Sequence, residues 1–200
     1  MSGDPTAPPL PGALELAAAL RPVLATRTRR VLDQPGQAAA VLIPIYDRGG
    51  QPYLILTKRT ADLPAHPGQI SLPGGRRDPT DVDLRMTALR ETQEELGIDP
   101  SAIDIVGELD DVATFQSQYI VTPVIGVLAV APRPLPNPGE IDRVMEVAIA
   151  ELLELDAALP TRPTLGELRY PLDGEDVWGA TARILRTFVA VTRRAIDAER

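Results

Sequence analysis

A short apolar run from Ile70 to Pro73 ends on two successive glycines, Gly74 and Gly75, and a helical segment follows from about Asp81 to Leu96. This strand–diglycine–helix unit constrains the fold more than any other part of the chain. Glycine lets two backbones, or a backbone and a ligand, approach closely. Asp81 or Asp83 suits the helix N-cap, and Gly97 suits its left-handed exit. With about 100° between residues, Glu91, Glu94 and Glu95 share one face, and Met86, Leu89 and Leu96 share the opposite one. The apolar face is predicted to seat the helix on a sheet, which turns the glutamates toward open space. Arg90 lies one turn before Glu94 and can bridge to it.

Gathering like charges on one edge costs about 0.2–0.5 kcal/mol per close pair in water, so a solvated surface is the ordinary reading. The diglycine beside them changes that reading. Carboxylates together with a glycine carbonyl make a hard-oxygen set of the kind that holds Mg²⁺ or Mn²⁺. Composition supports carboxylate chemistry by elimination. The chain has no cysteine, which removes thiolate catalysis, thiolate–zinc sites and disulfides. His66 is its single histidine, and no serine stands in a nucleophile-elbow pattern.

A net charge of −8 argues against a nucleic-acid partner. It leaves an anionic small-molecule substrate open, because bound cations invert the local potential. No apolar run reaches the ~20 residues that span a bilayer, so no membrane partner is expected. The first residues lack the basic-then-apolar order of a secretory signal, and a cytoplasmic location is the expectation. Residues 1–12, rich in proline and glycine, read as a flexible arm, and 13–200 as a single domain.

Along the chain, residues 13–33 read as a helix that Pro22 breaks or kinks. Residues 38–47 and 52–59 are apolar, partly β-branched runs joined through Gly49-Gly50, which predicts a hairpin. Strands are also expected within 102–115, 119–130 and 143–150, with a weaker one over 165–172. The proline-rich stretch 131–139 reads as a surface loop. A short helix over 151–156 and a closing amphipathic helix over 178–198 complete the pattern. Irregular alternation of this kind implies an α/β fold with a central mixed sheet flanked by helices. Trp178, at the start of the last helix, reads as a core anchor, while Phe115 and Tyr119 could stack an adenine as readily as pack in the core.

Gly75, Arg90, Glu91, Glu94, Glu95, Gly97 and Ile98 resemble the Nudix box, the signature of the Nudix hydrolase superfamily. One residue is inserted between the glycine and the arginine, Asp81 replaces the first glutamate, and Thr92 replaces an apolar position. Upstream, Leu56, Thr57, Arg59, Gly68, Pro73, Gly74 and Gly75 are similar to the signature that precedes the box in coenzyme A pyrophosphatases. Ile55, Thr60, Pro64 and Leu72 depart from it, Pro64 standing where that signature has arginine. The inserted, aspartate-bearing box and the stretch from Trp178 to Leu185 also resemble that branch.

The resemblance implies a Nudix-type α/β/α sandwich and metal-dependent hydrolysis of the coenzyme A diphosphate to 3′,5′-ADP and 4′-phosphopantetheine. It implies Mg²⁺ or Mn²⁺ at Glu91, Glu94, Glu95 and the Gly75 carbonyl, with Arg90 orienting the cluster. Glu91 or Glu140, the latter with Glu146 behind it, would take the proton from water. Arg59, Arg76 and Gly74 would meet substrate phosphate, with Arg77 a weaker candidate and His66 in the neighbouring loop. Another nucleoside diphosphate derivative, such as ADP-ribose, NADH or a sugar nucleotide, remains an alternative substrate, as does a binding module without turnover.

Overall fold

A computed structural model describes residues 10–62, 67–114 and 118–199. The predicted positions of His66, Pro64 and Phe115 lie outside the described residues, as does most of the N-terminal arm. The elements run α1 (Ala13–Thr26), β1 (Gln37–Arg48), β2 (Gln51–Arg59), β3 (Ile70–Ser71), β4 (Gly74–Arg76) and α2 (Leu84–Leu96). There follow β5 (Ile103–Glu108), β6 (Val112–Ala113), β7 (Tyr119–Leu128), β8 (Ile141–Ala148) and α3 (Ile149–Ala158). A short hairpin of β9 (Tyr170–Leu172) and β10 (Glu175–Val177) leads into α4 (Gly179–Ala198).

β1 organises the sheet. It pairs antiparallel with β2 and β4 and parallel with β7 over nine residues, from Gln37 opposite Tyr119 to Ile45 opposite Val127. β8 adds antiparallel to β2, and β5 to β7. Alternate residues of β1 serve different layers. Ala39, Ile43 and Ile45 join the core under α1, α3 and α4, while Ala40, Leu42 and Tyr46 join the core under α2. A strand buried on both faces must be nearly all apolar, which is why this segment reads as a continuous rather than alternating run. The result is the predicted sandwich, a mixed sheet between helices.

Three expectations shift. Helix α1 passes through Pro22 and stops at Thr26, short of the predicted residue 33. The following residues leave the helix because their side chains pair elsewhere. Arg27 bonds Asp110, and Arg29 reaches Glu108 and Asp111. The weak strand over 165–172 shortens to β9, and its partner β10 went unpredicted. The signal for that hairpin was Asp173-Gly174, both at positive φ (49° and 76°), the residue pair that two-residue hairpin turns favour. Asp156 then knits this end together, accepting from the Tyr170 hydroxyl at 2.7 Å, Arg186 at 2.9 Å and Arg193 at 3.1 Å. No helix among the described residues is long and apolar enough to cross a membrane.

Candidate active site

The site begins at the edge of β1. Gly75 lies opposite Ala40 and Gly74 opposite Val41, so the diglycine is a short strand laid against the central one. Gly74 has φ +153°, and a Cβ there would stand 2.3 Å from the Ala40 carbonyl oxygen. A Cβ on Gly75 would instead stand 2.5 Å from the Glu91 carboxylate. The bare Cα of Gly75 is therefore the floor on which Glu91 rests.

Helix α2 starts where Asp83 accepts the Met86 amide at 2.8 Å and ends at Gly97, φ 66°, as its caps predict. Its buried stripe differs from the expected one. Thr87, Ala88, Thr92, Glu95 and Leu96 are buried, whereas Met86 is 42% exposed and Leu89 only half-buried. Small residues let the helix sit close to the sheet, and the threonine hydroxyls are satisfied locally, Thr92 donating to the Ala88 carbonyl at 2.7 Å. Glu95 is carried inward with them. Of the three glutamates, Glu94 is exposed and Glu91 half-buried.

Asp81 is not a cap. Its buried carboxylate takes two bonds from Arg90, Nε at 3.1 Å and Nη2 at 3.0 Å, and accepts from the Thr87 hydroxyl at 2.9 Å and the Asp78 amide at 2.9 Å. The arginine bonds foremost hold its carboxyl down at about 2. The same guanidinium donates to the Arg76 carbonyl, Glu91 Oε1 and Glu94 Oε2, each at 2.9–3.0 Å. Arg90 thus fastens the loop after the diglycine to two glutamates of the helix. The aspartate substitution in the box supplies its anchor.

Glu95 sits deeper. Its carboxylate accepts the Gly74 amide at 3.2 Å and lies 3.9 Å from Arg59 Nη1. Burial pushes its carboxyl up to about 8, with the charges of Glu91 and Glu140 adding to the effect. Burial also raises Glu91, against the pull of Arg90 and with the push of Glu94 and Glu140. The charge of Glu140 is thus felt at both. Glu146 is elsewhere, bonded to Tyr46 and Arg48. Arg77 is engaged with the Asp81 and Val82 carbonyls.

These raised carboxyls have a measurable consequence. Folded Glu95 keeps its proton to about pH 8, whereas an unfolded glutamate releases it near 4.5, so the folded state binds more protons across that window. Its contribution to stability is full below the lower value and is lost as pH rises through the upper one. Without added metal, Glu95→Gln should match wild type near pH 4 and exceed it by about 3 kcal/mol at pH 7, at 1.4 kcal/mol per unit. Urea unfolding across pH 4–8 measures this, and a pH-independent difference contradicts it.

A cleft of about 520 Å³ opens beside the diglycine, lined by Arg59, Ser71, Gly74, Gly75, Arg76, Tyr119, Trp178 and Arg183, among others. The Arg59 Nε is buried and has no hydrogen-bond partner among the described residues. Trp178 is not the core anchor its position suggested. It is 44% exposed at the cleft wall. No three acidic or histidine side chains among the described residues stand ready-made around one ion. The donor chemistry nevertheless fits a hard divalent cation. Two carboxylates raised by burial and mutual repulsion beside a glycine backbone are what a cation would relieve.

Residues 36–168 match the NUDIX domain family model, and the chain belongs to the Nudix family. Among curated relatives, it is 37% identical over 180 residues to NudL of Pectobacterium atrosepticum, named as an uncharacterized Nudix hydrolase, covering 86% of each chain. It is 38% identical over 168 residues to Nudix hydrolase 15, mitochondrial, of Arabidopsis thaliana, covering 77% of this chain but 58% of the plant protein's length. A NUDIX hydrolase structure from Alicyclobacillus acidocaldarius shares the fold, with TM-score 0.57 at 18% identity over 84% of this chain and 98% of that one.

Proposed function

We propose that the chain hydrolyses the diphosphate bond of coenzyme A, giving 3′,5′-ADP and 4′-phosphopantetheine, with Mg²⁺ or Mn²⁺ as cofactor. The observation that carries this reading is a cleft walled by Gly75, on which Glu91 rests, and by Arg59, which stands 3.9 Å from Glu95. Residues 13–200 would act as a single domain. Glu91, Glu94, Glu95 and the Gly75 carbonyl would hold the ions, which when bound neutralise phosphate oxygens and acidify water. Arg90 positions Glu91 and Glu94. Arg59 grips a phosphate oxygen through its planar fork, with Arg76 and Gly74 at the same wall. Glu140, whose charge is felt at Glu91 and Glu95, takes the proton from the attacking water.

The substrate branch rests on the resemblance of Leu56 to Gly75 to the coenzyme A signature. Pro64 favours the alternative, another nucleoside diphosphate derivative such as ADP-ribose, NADH or a sugar nucleotide. Retention of Glu91, Glu94 and Glu95 favours turnover over a binding module. Incubation with coenzyme A and Mg²⁺ or Mn²⁺ should release 3′,5′-ADP, read by chromatography. Cleavage of ADP-ribose or NADH with coenzyme A left intact would replace this substrate by the alternative.

A further inference from the structure

Aromatic side chains are scarce in this chain, and its single tryptophan is displayed to solvent. The backbone beneath it is fixed. Val177, just before, is fully buried, and the Thr181 hydroxyl, just after, donates to the Ile70 carbonyl at 3.1 Å. Trp178 itself is extended at the start of the 20-residue helix α4, and Gly179 at φ 68° turns the chain into that helix. A large apolar ring held out by a rigid frame loses favourable burial unless something covers it. It stands in the wall of the same cleft as Gly74, Gly75 and Arg59, so whatever lies on the diglycine extends toward it.

The surroundings of the ring indicate the kind of cover. Arg183 lines the same wall and donates to the Ala113 carbonyl at 2.8 Å. Burial foremost, with the charge of Arg30 adding to it, lowers the Arg183 pKa. An aromatic face sharing a wall with a cation matches a planar base on a phosphorylated ribose, and matches a neutral amide-bearing arm less well.

We infer that Trp178 is a specificity-determining residue of the cleft, stacking on the nucleobase of the substrate while the diphosphate lies at the glutamates. The inference rests on the diphosphate-hydrolase reading above, and its test can be separated from that reading. Because Trp178 is the only tryptophan, intrinsic fluorescence reports its contacts directly. Titrating metal-free protein with 3′,5′-ADP should quench the emission and saturate. Inorganic pyrophosphate and 4′-phosphopantetheine should leave it unchanged. In turnover of the natural diphosphate substrate, Trp178→Ala should raise KM about tenfold with little change in kcat, and Trp178→Phe should restore most of it.

Quenching by 4′-phosphopantetheine but not by 3′,5′-ADP overturns the inference by putting the other half of the substrate on the ring. So does unaltered emission with every ligand, or an unchanged KM in a folded Trp178→Ala enzyme. If wild type hydrolyses no diphosphate at all, the activity reading fails. The nucleotide titration still decides the subsite.

Discussion

Glu91→Gln should lower kcat on the order of a thousandfold with the folded state intact. The glutamate rests on the bare Cα of Gly75, receives Arg90 Nη1 at 2.9 Å, and shares the field of Glu94 and Glu140. Glutamine preserves the shape and one acceptor oxygen for Arg90, so packing changes little. Burial already disfavours the charge, so its removal does not cost stability. What is lost is a charged oxygen donor where a divalent ion would be held. Steady-state kinetics under saturating Mg²⁺, together with calorimetric titration of Mn²⁺, should show activity and ion affinity falling together. Retained turnover would remove Glu91 from the chemistry.

The second large effect separates two neighbours. Gly74→Ala should cost on the order of 4 kcal/mol or more, enough to unfold a marginal protein. The added methyl meets the Ala40 carbonyl oxygen at 2.3 Å and the Val41 Cα at 2.5 Å, both backbone atoms of the central strand. That strand is bonded on both sides and cannot retreat, and φ +153° is strained for any L side chain. Gly75→Ala meets only the mobile end of Glu91, at 2.5 Å. It should melt within about 1 kcal/mol of wild type and lose activity comparably to Glu91→Gln. Equal stability losses at the two positions would contradict this division. Urea unfolding and kcat, measured on both variants, decide it.

Much of this arrangement is written in local chemistry. The caps Asp83 and Gly97, the Gly49-Gly50 hairpin and the Arg90–Glu94 contact each depend on residues within a few positions, and each is found as expected. Failures arose where distant partners decide. Periodicity gives angles around an axis but not which angle meets the sheet, so Glu95 is expected on the open face and Met86 on the seated one. Residues 27–33 look helical until Glu108, Asp110 and Asp111 are brought beside them. Trp178 looked like core because nothing in the local sequence says that a cleft opens there. The Asp173-Gly174 turn was readable and was passed over in favour of its weakly patterned flank.

The knot around Arg90 has one more consequence. Zinc fingers are unfolded until their ion arrives, so chelation denatures them. Here the glutamate helix is already clamped to the diglycine loop by a buried aspartate and a shared guanidinium, independent of any ion. Ion loading therefore belongs to the working cycle rather than to the folding reaction. The scaffold can meet a fluctuating supply of divalent ion by idling, not by unravelling.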